Sequence, residues 1–313
     1  MIPIVCLDVG GSSVKAAVTT AEHPVPSSTE RYELDSRASA DTIIARLAEI
    51  VYREAERNSL VTEAVRESSP ALMVGLGFPG PCDYEAGICY LRGLTKFESL
   101  YGLSVRDLLG ERLGDLLGLS GSSAVRMRND AEAAILGEAL YGAGRDASTV
   151  LGLTLGTGMG SSLIHRREVV RFSTPYNDRD ELFPWPVRDP AELETERPAD
   201  EVFSTRGILR LARSRGLQIA SPRELSEHAL AGSSDALEVY NRFGARLGTF
   251  LSEVIAHLGE HGPCPGRVVL LGGIAGAFKL FEPALRPQLS VPVVSGTLGE
   301  AAAIAGITAL FSA

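Results

Sequence analysis

Two neighbouring runs, Val125-Arg-Met-Arg-Asn-Asp-Ala-Glu-Ala-Ala134 and Leu151-Gly-Leu-Thr-Leu-Gly-Thr-Gly-Met-Gly-Ser-Ser-Leu-Ile164, organise the chain. The first reads as a buried strand that delivers Asn129 and Asp130 to the start of a helix. Asn129 suits the N-cap, where its side-chain oxygen accepts an orphaned backbone N–H, and Glu132 stands where a capping-box partner belongs. The second run is apolar strand, glycine turn, apolar strand. Gly156, Gly158 and Gly160 around Thr157 let N–H groups converge with no Cβ in the way, which makes a nest for an anion such as phosphate. A carboxylate followed by a phosphate cradle is the minimum for moving a phosphoryl group onto a hydroxyl.

The same pattern stands at the start of the chain. Ile2 to Leu7 is an apolar strand that runs into Asp8-Val-Gly-Gly-Ser-Ser-Val-Lys15, and a second strand resumes over Val14 to Val18. A strand after the glycines, where a P-loop or a Rossmann turn requires a helix, sets this turn apart from both. Asp8-Val-Gly-Gly-Ser-Ser-Val lies over Thr157-Gly-Met-Gly-Ser-Ser-Leu with a shared Gly-Ser-Ser-apolar core. A short internal repeat of this kind predicts two related halves that face one ligand.

Between and beyond these turns, strands and helices alternate, which indicates an α/β fold. Helices are predicted over 39–58, 104–117, 131–141, 205–216, 222–230, 234–259, 278–285 and 299–311, and buried strands over 72–78, 267–271 and 291–294. The stripe Leu237, Tyr240, Phe243, Leu247, Phe250, Leu251, Val254 and Leu258 of the long helix reads as core. Leu119 to Ser123 reads as a glycine-serine connection. Pro79-Gly80-Pro81 ends one strand abruptly in a loop, a common place for ligand contacts. Arg267-Val-Val-Leu-Leu-Gly-Gly-Ile-Ala-Gly276 is a strand–Gly-Gly–helix junction that permits close backbone approach by a planar group or a phosphate. Thr174 to Asp200, rich in Pro and charge and holding the single tryptophan, Trp185, reads as a long surface loop.

Composition narrows the function classes. A length of 313 residues predicts two cored domains, and 45% hydrophobic with 22% charged residues is ordinary for a globular protein. A net charge of −9 argues against nucleic-acid or anionic-membrane partners, although a local nest can still hold a nucleotide. No apolar run reaches spanning length and no signal segment is evident, so the expectation is cytoplasmic. The four cysteines, Cys6, Cys82, Cys89 and Cys264, show no zinc spacing and are expected as reduced thiols in or near the core. His257 and His261 read as a solvated helix end, and Lys15 as a strand-edge charge.

Four blocks in order, Asp8-Val-Gly-Gly-Ser-Ser-Val-Lys15, Asn129-Asp130-Ala-Glu-Ala-Ala, Leu155-Gly-Thr-Gly-Met-Gly-Ser-Ser and Leu270-Leu-Gly-Gly-Ile-Ala, resemble the ROK family of bacterial sugar kinases and repressors, within the actin/hexokinase/Hsp70 superfamily. Phe78-Pro-Gly-Pro81 resembles that family's loop beside the sugar. The resemblance implies two RNase H-like (actin-like ATPase) domains flanking a central cleft. It places a smaller one over 1–126 plus 297–313 and a larger one, with the catalytic Asp, over 127–296. It implies ATP and Mg2+ as cofactors. Asp8, Gly10, Gly11 and Ser12, with Gly156, Thr157, Gly158 and Gly160, would wrap the phosphates; Gly272 and Gly273 would meet the nucleoside; and Asp8 would place Mg2+ through water. Asp130 matches the family's catalytic base, while Asn129 and Gly80 match sugar contacts.

Two departures stand out. The family's Glu-x-Gly-His segment corresponds to Asp180-Glu-Leu-Phe-Pro-Trp185, so Glu181 is retained while Pro184 replaces the histidine. The cysteine cluster that follows it is absent, so no structural zinc is expected. Asp200-Glu-Val-Phe-Ser-Thr-Arg-Gly resembles the stretch after that cluster and makes Glu201 a second sugar-binding carboxylate. The asparagine usual before the aromatic of the sugar loop is missing from Arg92-Gly-Leu-Thr-Lys-Phe97.

The reading that follows is an ATP-dependent carbohydrate kinase, glucokinase- or hexokinase-like, acting on a sugar or cyclitol as a homodimer. Polyphosphate is an alternative donor for the same nests. Asp130 would take the acceptor proton, although a carboxylate at a helix N-terminus is favoured as the anion, which predicts a lowered pKa. The alternatives are a non-catalytic sugar sensor or regulator of the same family and an actin-like hydrolase that transfers to water.

Overall fold

A computed structural model describes residues 2–60, 72–93, 95–117, 124–177, 181–189, 191 and 195–312. The chain packs into two units, Met1–Gly137 with Glu300–Ala313, and Glu138–Gly299. The first is built on β1 (Ile4–Val9), whose run Ile-Val-Cys-Leu-Asp-Val is buried at all positions but Asp8. Such a continuous apolar run suits a strand covered on both faces. β1 pairs antiparallel with β2 (Ser13–Thr19) and parallel with β4 (Met73–Phe78). The polar β3 (Glu30–Glu33) closes one edge and β7 (Val125–Asn129) the other, in the order β3-β2-β1-β4-β7. Glu and Arg on β3 discourage further pairing at that edge.

The second unit repeats this plan. β8 (Thr149–Leu155) pairs antiparallel with β9 (Met159–His165), β10 (Glu168–Val170) extends β9, and β13 (Arg267–Leu271) and β14 (Val293–Ser295) add in parallel. The order is β10-β9-β8-β13-β14. Each sheet is thus an antiparallel three-strand ribbon with two parallel strands beyond it. A glycine turn stands at each equivalent joint, 10–12 between β1 and β2 and 156–158 between β8 and β9. The expected overlay of Gly-Ser-Ser is out of step with them, because Gly160-Ser161-Ser162 lies within β9.

The division differs from the expected one at 126/127. β7 pairs in parallel with β4, Phe78 opposite Asn129, so hydrogen bonding draws Asn129 and Asp130 into the first unit. The boundary falls inside α3 (Asp130–Tyr141). Just past it, Glu138 is fully buried and its carboxylate accepts the N–H groups of Ala143 at 2.8 Å and Leu298 at 2.7 Å.

Helices follow from sequence periodicity and caps. α1 (Ala40–Arg57) starts at Ser39, whose hydroxyl accepts the Thr42 N–H at 3.2 Å, and buries Ile43, Ile44, Leu47, Ile50 and Val51. α2 (Val105–Leu117) packs against α1. The expected connection at 119–123 lies outside the described residues. α7 (Ser234–His261) buries its predicted stripe from Tyr240 to Leu258, each large side chain contributing about 1.5–3 kcal/mol. Leu237 is the exception: on the first turn it is 37% exposed, and the core position there is held by the fully buried Val239.

α9 (Ala301–Thr308) packs on β1, β4 and α3. A Cβ on Gly306 would overlap the Ala133 carbonyl, and one on Gly137 the Ala302 carbonyl, so α3 and α9 meet backbone to backbone. Ile304 and Ile307 fill the adjoining core with Ile4, Cys6 and Ala17. Burial pushes the Cys6 thiol up to about 11, and it lies 3.5 Å from the hydroxyls of Thr19 and Thr308. Cys264, expected in or near the core, is exposed beyond the end of α7.

The stretch expected as a surface loop over 174–200 is largely structured where described. β11 (Pro186–Arg188) and β12 (Glu196–Pro198) form a hairpin, followed by α4 (Ala199–Phe203). Leu182, Trp185 and Val187 belong to the unit's core, and Trp185 packs edge-on to Phe250 with ring centroids 6.2 Å apart. Asp189, 1% exposed, ties the hairpin to α5 (Thr205–Ser214), with Arg197 and Arg210 each 2.7 Å from its Oδ2. Apolar residues among the prolines therefore serve as anchors, and composition alone hid them. α6 (Pro222–Leu230) and α8 (Phe278–Leu285) complete the second unit. Among the described residues no helix is long and apolar enough to cross a membrane.

Candidate active site

The first unit gathers Asp8, the Gly10–Ser12 turn, Gly80, Asn129 and Asp130 around the carboxyl ends of β1, β4 and β7. Asn129 is the N-cap of α3: its Oδ1 accepts the Glu132 N–H at 3.0 Å. Glu132 in turn holds Arg128 at 3.1 Å. The other end of the Asn129 amide is also held, because Nδ2 donates to the Tyr84 hydroxyl at 3.0 Å. Tyr84 donates onward to the Phe78 carbonyl at 3.1 Å. A Cβ on Gly80 would stand 2.9 Å from that hydroxyl and 3.3 Å from Asn129 Nδ2. Gly80 and Asn129 are therefore neighbours through Tyr84, a residue that carried no sequence signal. Tyr84 rides on the small hairpin of β5 (Cys82–Asp83) and β6 (Ile88–Cys89), where Cys82 donates to the Pro79 carbonyl at 3.3 Å.

Asp130 is half-buried on the first turn of α3, and its Oδ1 accepts the Ala131 N–H at 2.8 Å. Its pKa is raised from the ordinary value, chiefly by burial, with a contribution from the Asp8 charge; the Ala131 N–H and the Lys96 charge oppose this. The lowered pKa expected from the helix terminus is thus overturned, because desolvation outweighs the backbone dipoles at this position. Asp8 is paired with Lys15 at 3.2 Å, and Lys15 also lies 3.9 Å from Glu300. Lys15 is a partner of Asp8 across the β1–β2 pairing. In the turn, the Gly10 N–H donates to the Ser13 carbonyl at 2.9 Å, while the N–H groups of Gly11 and Ser12 have no partner among the described residues.

Lys96 was also missed from sequence. It sits in the loop before the buried Phe97, and its Cδ is 3.6 Å from where a Gly11 Cβ would project.

In the second unit the Gly156–Gly160 turn uses part of its backbone internally. Gly156 N–H donates to the Gly158 carbonyl at 3.0 Å and Gly160 N–H to the Thr154 hydroxyl at 3.0 Å. Met159 N–H donates to Asp200 Oδ1 at 2.7 Å, and Asp200 is bridged to Arg206 at 2.5 Å. Thr157 and Gly158 keep N–H groups without a partner among the described residues, the same two-group remainder as in the first turn. Gly272 is packed beside this turn: at φ +91° it adopts a left-handed conformation, and a Cβ would stand 2.5 Å from the Leu155 carbonyl. A Cβ on Gly273 would meet nothing within 4 Å. Glu201 lies on α4 with its carboxylate 3.7 Å from Arg197. Glu181 is anchored through its main chain, its carbonyl accepting from Asn177 Nδ2 at 2.7 Å and the next residue, Leu182, donating to the Ser161 hydroxyl at 3.1 Å. Pro184 follows in the same turn. Among the described residues no group of three or more His, Cys, Asp or Glu side chains could hold a metal ion.

Residues 4–171 match the model of the ROK family. The chain belongs to the ROK family. The glucokinase of Thermotoga maritima is 28% identical over 163 residues, which span 52% of this chain and 44% of that protein, less than half its length. The N-acetyl-D-glucosamine kinase of Mannheimia succiniciproducens is 27% identical over 276 residues, covering 81% of this chain and 84% of that one. Among solved structures, a ROK glucokinase from Streptomyces griseus in complex with glucose and AMPPNP superposes with a TM-score of 0.70 at 19% identity, covering 98% of each chain. The two five-stranded α/β units therefore have the actin-like ATPase fold of that ROK structure.

Proposed function

We propose that this ROK protein is an ATP-dependent carbohydrate kinase that transfers the γ-phosphoryl group to a sugar hydroxyl, with Asp130 as the base. The reading rests above all on Asp130: a half-buried carboxylate, raised in proton affinity, next to an amide that is fixed at both ends and acted on by the charges of Asp8 and Lys96. A base whose pKa is moved toward the working pH accepts a proton more readily than an ordinary aspartate. Its orientation is set by the Ala131 N–H, which leaves Oδ2 to receive the acceptor proton. Asn129 retains one amide hydrogen beyond the Tyr84 bond, suited to a sugar hydroxyl, with Gly80 beside it. Glu181 and Glu201 are proposed as further sugar contacts from the second unit.

The chain's groups fit a nucleotide. Gly11 and Ser12, and again Thr157 and Gly158, present adjacent N–H groups for phosphate oxygens, and the space at Gly273 leaves room beside β13 for a nucleoside. Asp8 fits Mg2+, which binds through one or two carboxylates, phosphates and water. The ion supplies neutralisation of charge on the transferring group; Asp8, steadied by Lys15, would hold its water shell. The glucose and AMPPNP bound by the Streptomyces enzyme, and the names of the Thermotoga and Mannheimia relatives, agree with this assignment.

The test is a coupled ADP-release assay with Mg·ATP over hexoses, amino sugars and cyclitols, with inorganic polyphosphate as a second donor. Turnover with one acceptor, lost in Asp130→Ala while ATP still binds, is the expected result. ATP binding without turnover on any acceptor would replace the kinase by a sugar sensor, and turnover indifferent to added sugar would replace it by a hydrolase.

A further inference from the structure

The loop that carries Lys96 is held in an unusual backbone. Thr95 and Phe97, on either side of it, have φ of +58° and +57°. For a β-branched and an aromatic residue the left-handed region costs about 1–3 kcal/mol each, a strain that persists only when neighbouring structure enforces it. Three contacts do so here. The Phe97 ring is fully buried, its centroid 4.9 Å from that of Phe78. Phe97 N–H donates to the Ser36 carbonyl at 2.7 Å, and Thr95 N–H to Glu98 Oε1 at 2.9 Å. The outcome is that the Lys96 stem lies over Gly11, with the side chain half-buried. Its ammonium makes no hydrogen bond or ion pair among the described residues. Its charge acts on Asp130.

A half-withdrawn ammonium without a hydrogen-bonding partner calls for an anion that the chain does not itself supply. The groups around it state which anion. On one side are the unpartnered N–H groups of Gly11 and Ser12, which suit phosphate oxygens; on the other is the proposed base. We propose that Lys96 is a catalytic residue whose ammonium holds the transferring phosphoryl group between the Gly11–Ser12 turn and Asp130. The proposal rests on the kinase reading and deepens it. As the bond from the acceptor oxygen to the γ-phosphorus forms, the bond to the bridging β–γ oxygen breaks. ADP leaves with that electron pair, Asp130 takes the acceptor proton, and Lys96 keeps its own.

Lys96→Met and Lys96→Arg separate this from a structural role. In Lys96→Met we expect kcat on the responding sugar to fall by about 10²-fold, the loss usual for one donor to developing charge, with the sugar KM within twofold of wild type. Lys96→Arg should recover part of the loss. Binding supplies a readout that needs no turnover: Lys96→Met should weaken AMPPNP while leaving ADP unchanged. Equal AMPPNP-to-ADP affinity ratios in wild type and Lys96→Met overturn the proposal, as does wild-type kcat in Lys96→Met. A wild type that binds both nucleotides but phosphorylates nothing removes the kinase reading, and the affinity ratio still decides whether Lys96 meets the third phosphate. A wild type that binds neither nucleotide removes both.

Discussion

The Tyr84 hydroxyl accepts a hydrogen bond from Asn129 Nδ2 at 3.0 Å and donates its own proton to the Phe78 carbonyl at 3.1 Å. One phenol thus joins the end of β4, the loop at Gly80 and the cap of α3. Tyr84→Phe keeps the ring and removes the link. Without it the amide loses its fixed orientation toward the acceptor. We expect the sugar KM to rise several-fold with kcat little changed, and stability to fall by about 1 kcal/mol. Steady-state kinetics with a thermal melt checks both, and an unaltered KM would assign Tyr84 to packing.

Asp130→Asn should abolish most turnover, by about 10²–10⁴-fold for loss of a general base. The pKa shift gives this substitution a second signature. Because the folded-state pKa is raised above the unfolded value of 3.8, the folded protein holds the proton more tightly. Stability from this group is fully present below 3.8 and is lost as pH rises through the raised folded value. At neutral pH the half-buried charge therefore opposes folding, and Asp130→Asn should melt at a higher temperature than wild type. The difference should shrink as pH falls toward 3.8. Melts across pH test the sign. In wild type, kcat/KM should rise with pH along an acid limb lying above the ordinary aspartate range.

Asp189→Ala removes the carboxylate shared by Arg197 and Arg210 and leaves both guanidinium groups without it. Breaking a buried pair from one side costs about 3–5 kcal/mol, so this single change should lower the melting temperature strongly. Proteolysis should then begin between residues 186 and 203. Wild-type stability would show that the hairpin contributes little to the second unit.

Gly306→Ala places a methyl group against the Ala133 carbonyl. Relief requires α9 to move off α3, at a cost of about 1–3 kcal/mol or more. Because Asp130 sits at the start of α3, kcat should fall along with stability. A fall in stability with full kcat would mean that the helix start is held independently of this crossing.

The elements readable from sequence were those written in local pattern. The apolar runs of β1, β4, β8 and β13, the stripe of α7, and Ser39 and Asn129 as caps all announce themselves within a few residues. The Gly-Ser-Ser repeat pointed to two like halves, and the strand orders match, but its register does not: Gly11 and Ser12 lie in the β1–β2 turn, whereas Gly160-Ser161-Ser162 lies inside β9. Lys96, Tyr84 and Asp200 were not readable. Each reaches its place through a contact across the sheet or the turn, with Gly11, Asn129 and Met159 as partners that no spacing rule links to them. The direction of the Asp130 shift was missed for a related reason: the helix terminus is visible in sequence, whereas the depth of burial is set by the rest of the unit.

The crossing of α3 and α9 also bears on how the protein is made. The ribosome delivers β1 to β7 and the start of α3 first, and then the whole second unit, before α9 emerges to close against Ala133 and Gly137. The second unit is contiguous and can fold as it appears, whereas the first must wait with the Ile4, Cys6 and Ala133 face uncovered. The nascent chain is thus born with its latest contact at the helix that bears Asp130. A partly synthesised or trimmed product lacking α9 would retain a folded second unit while its Asp130 helix remained unseated.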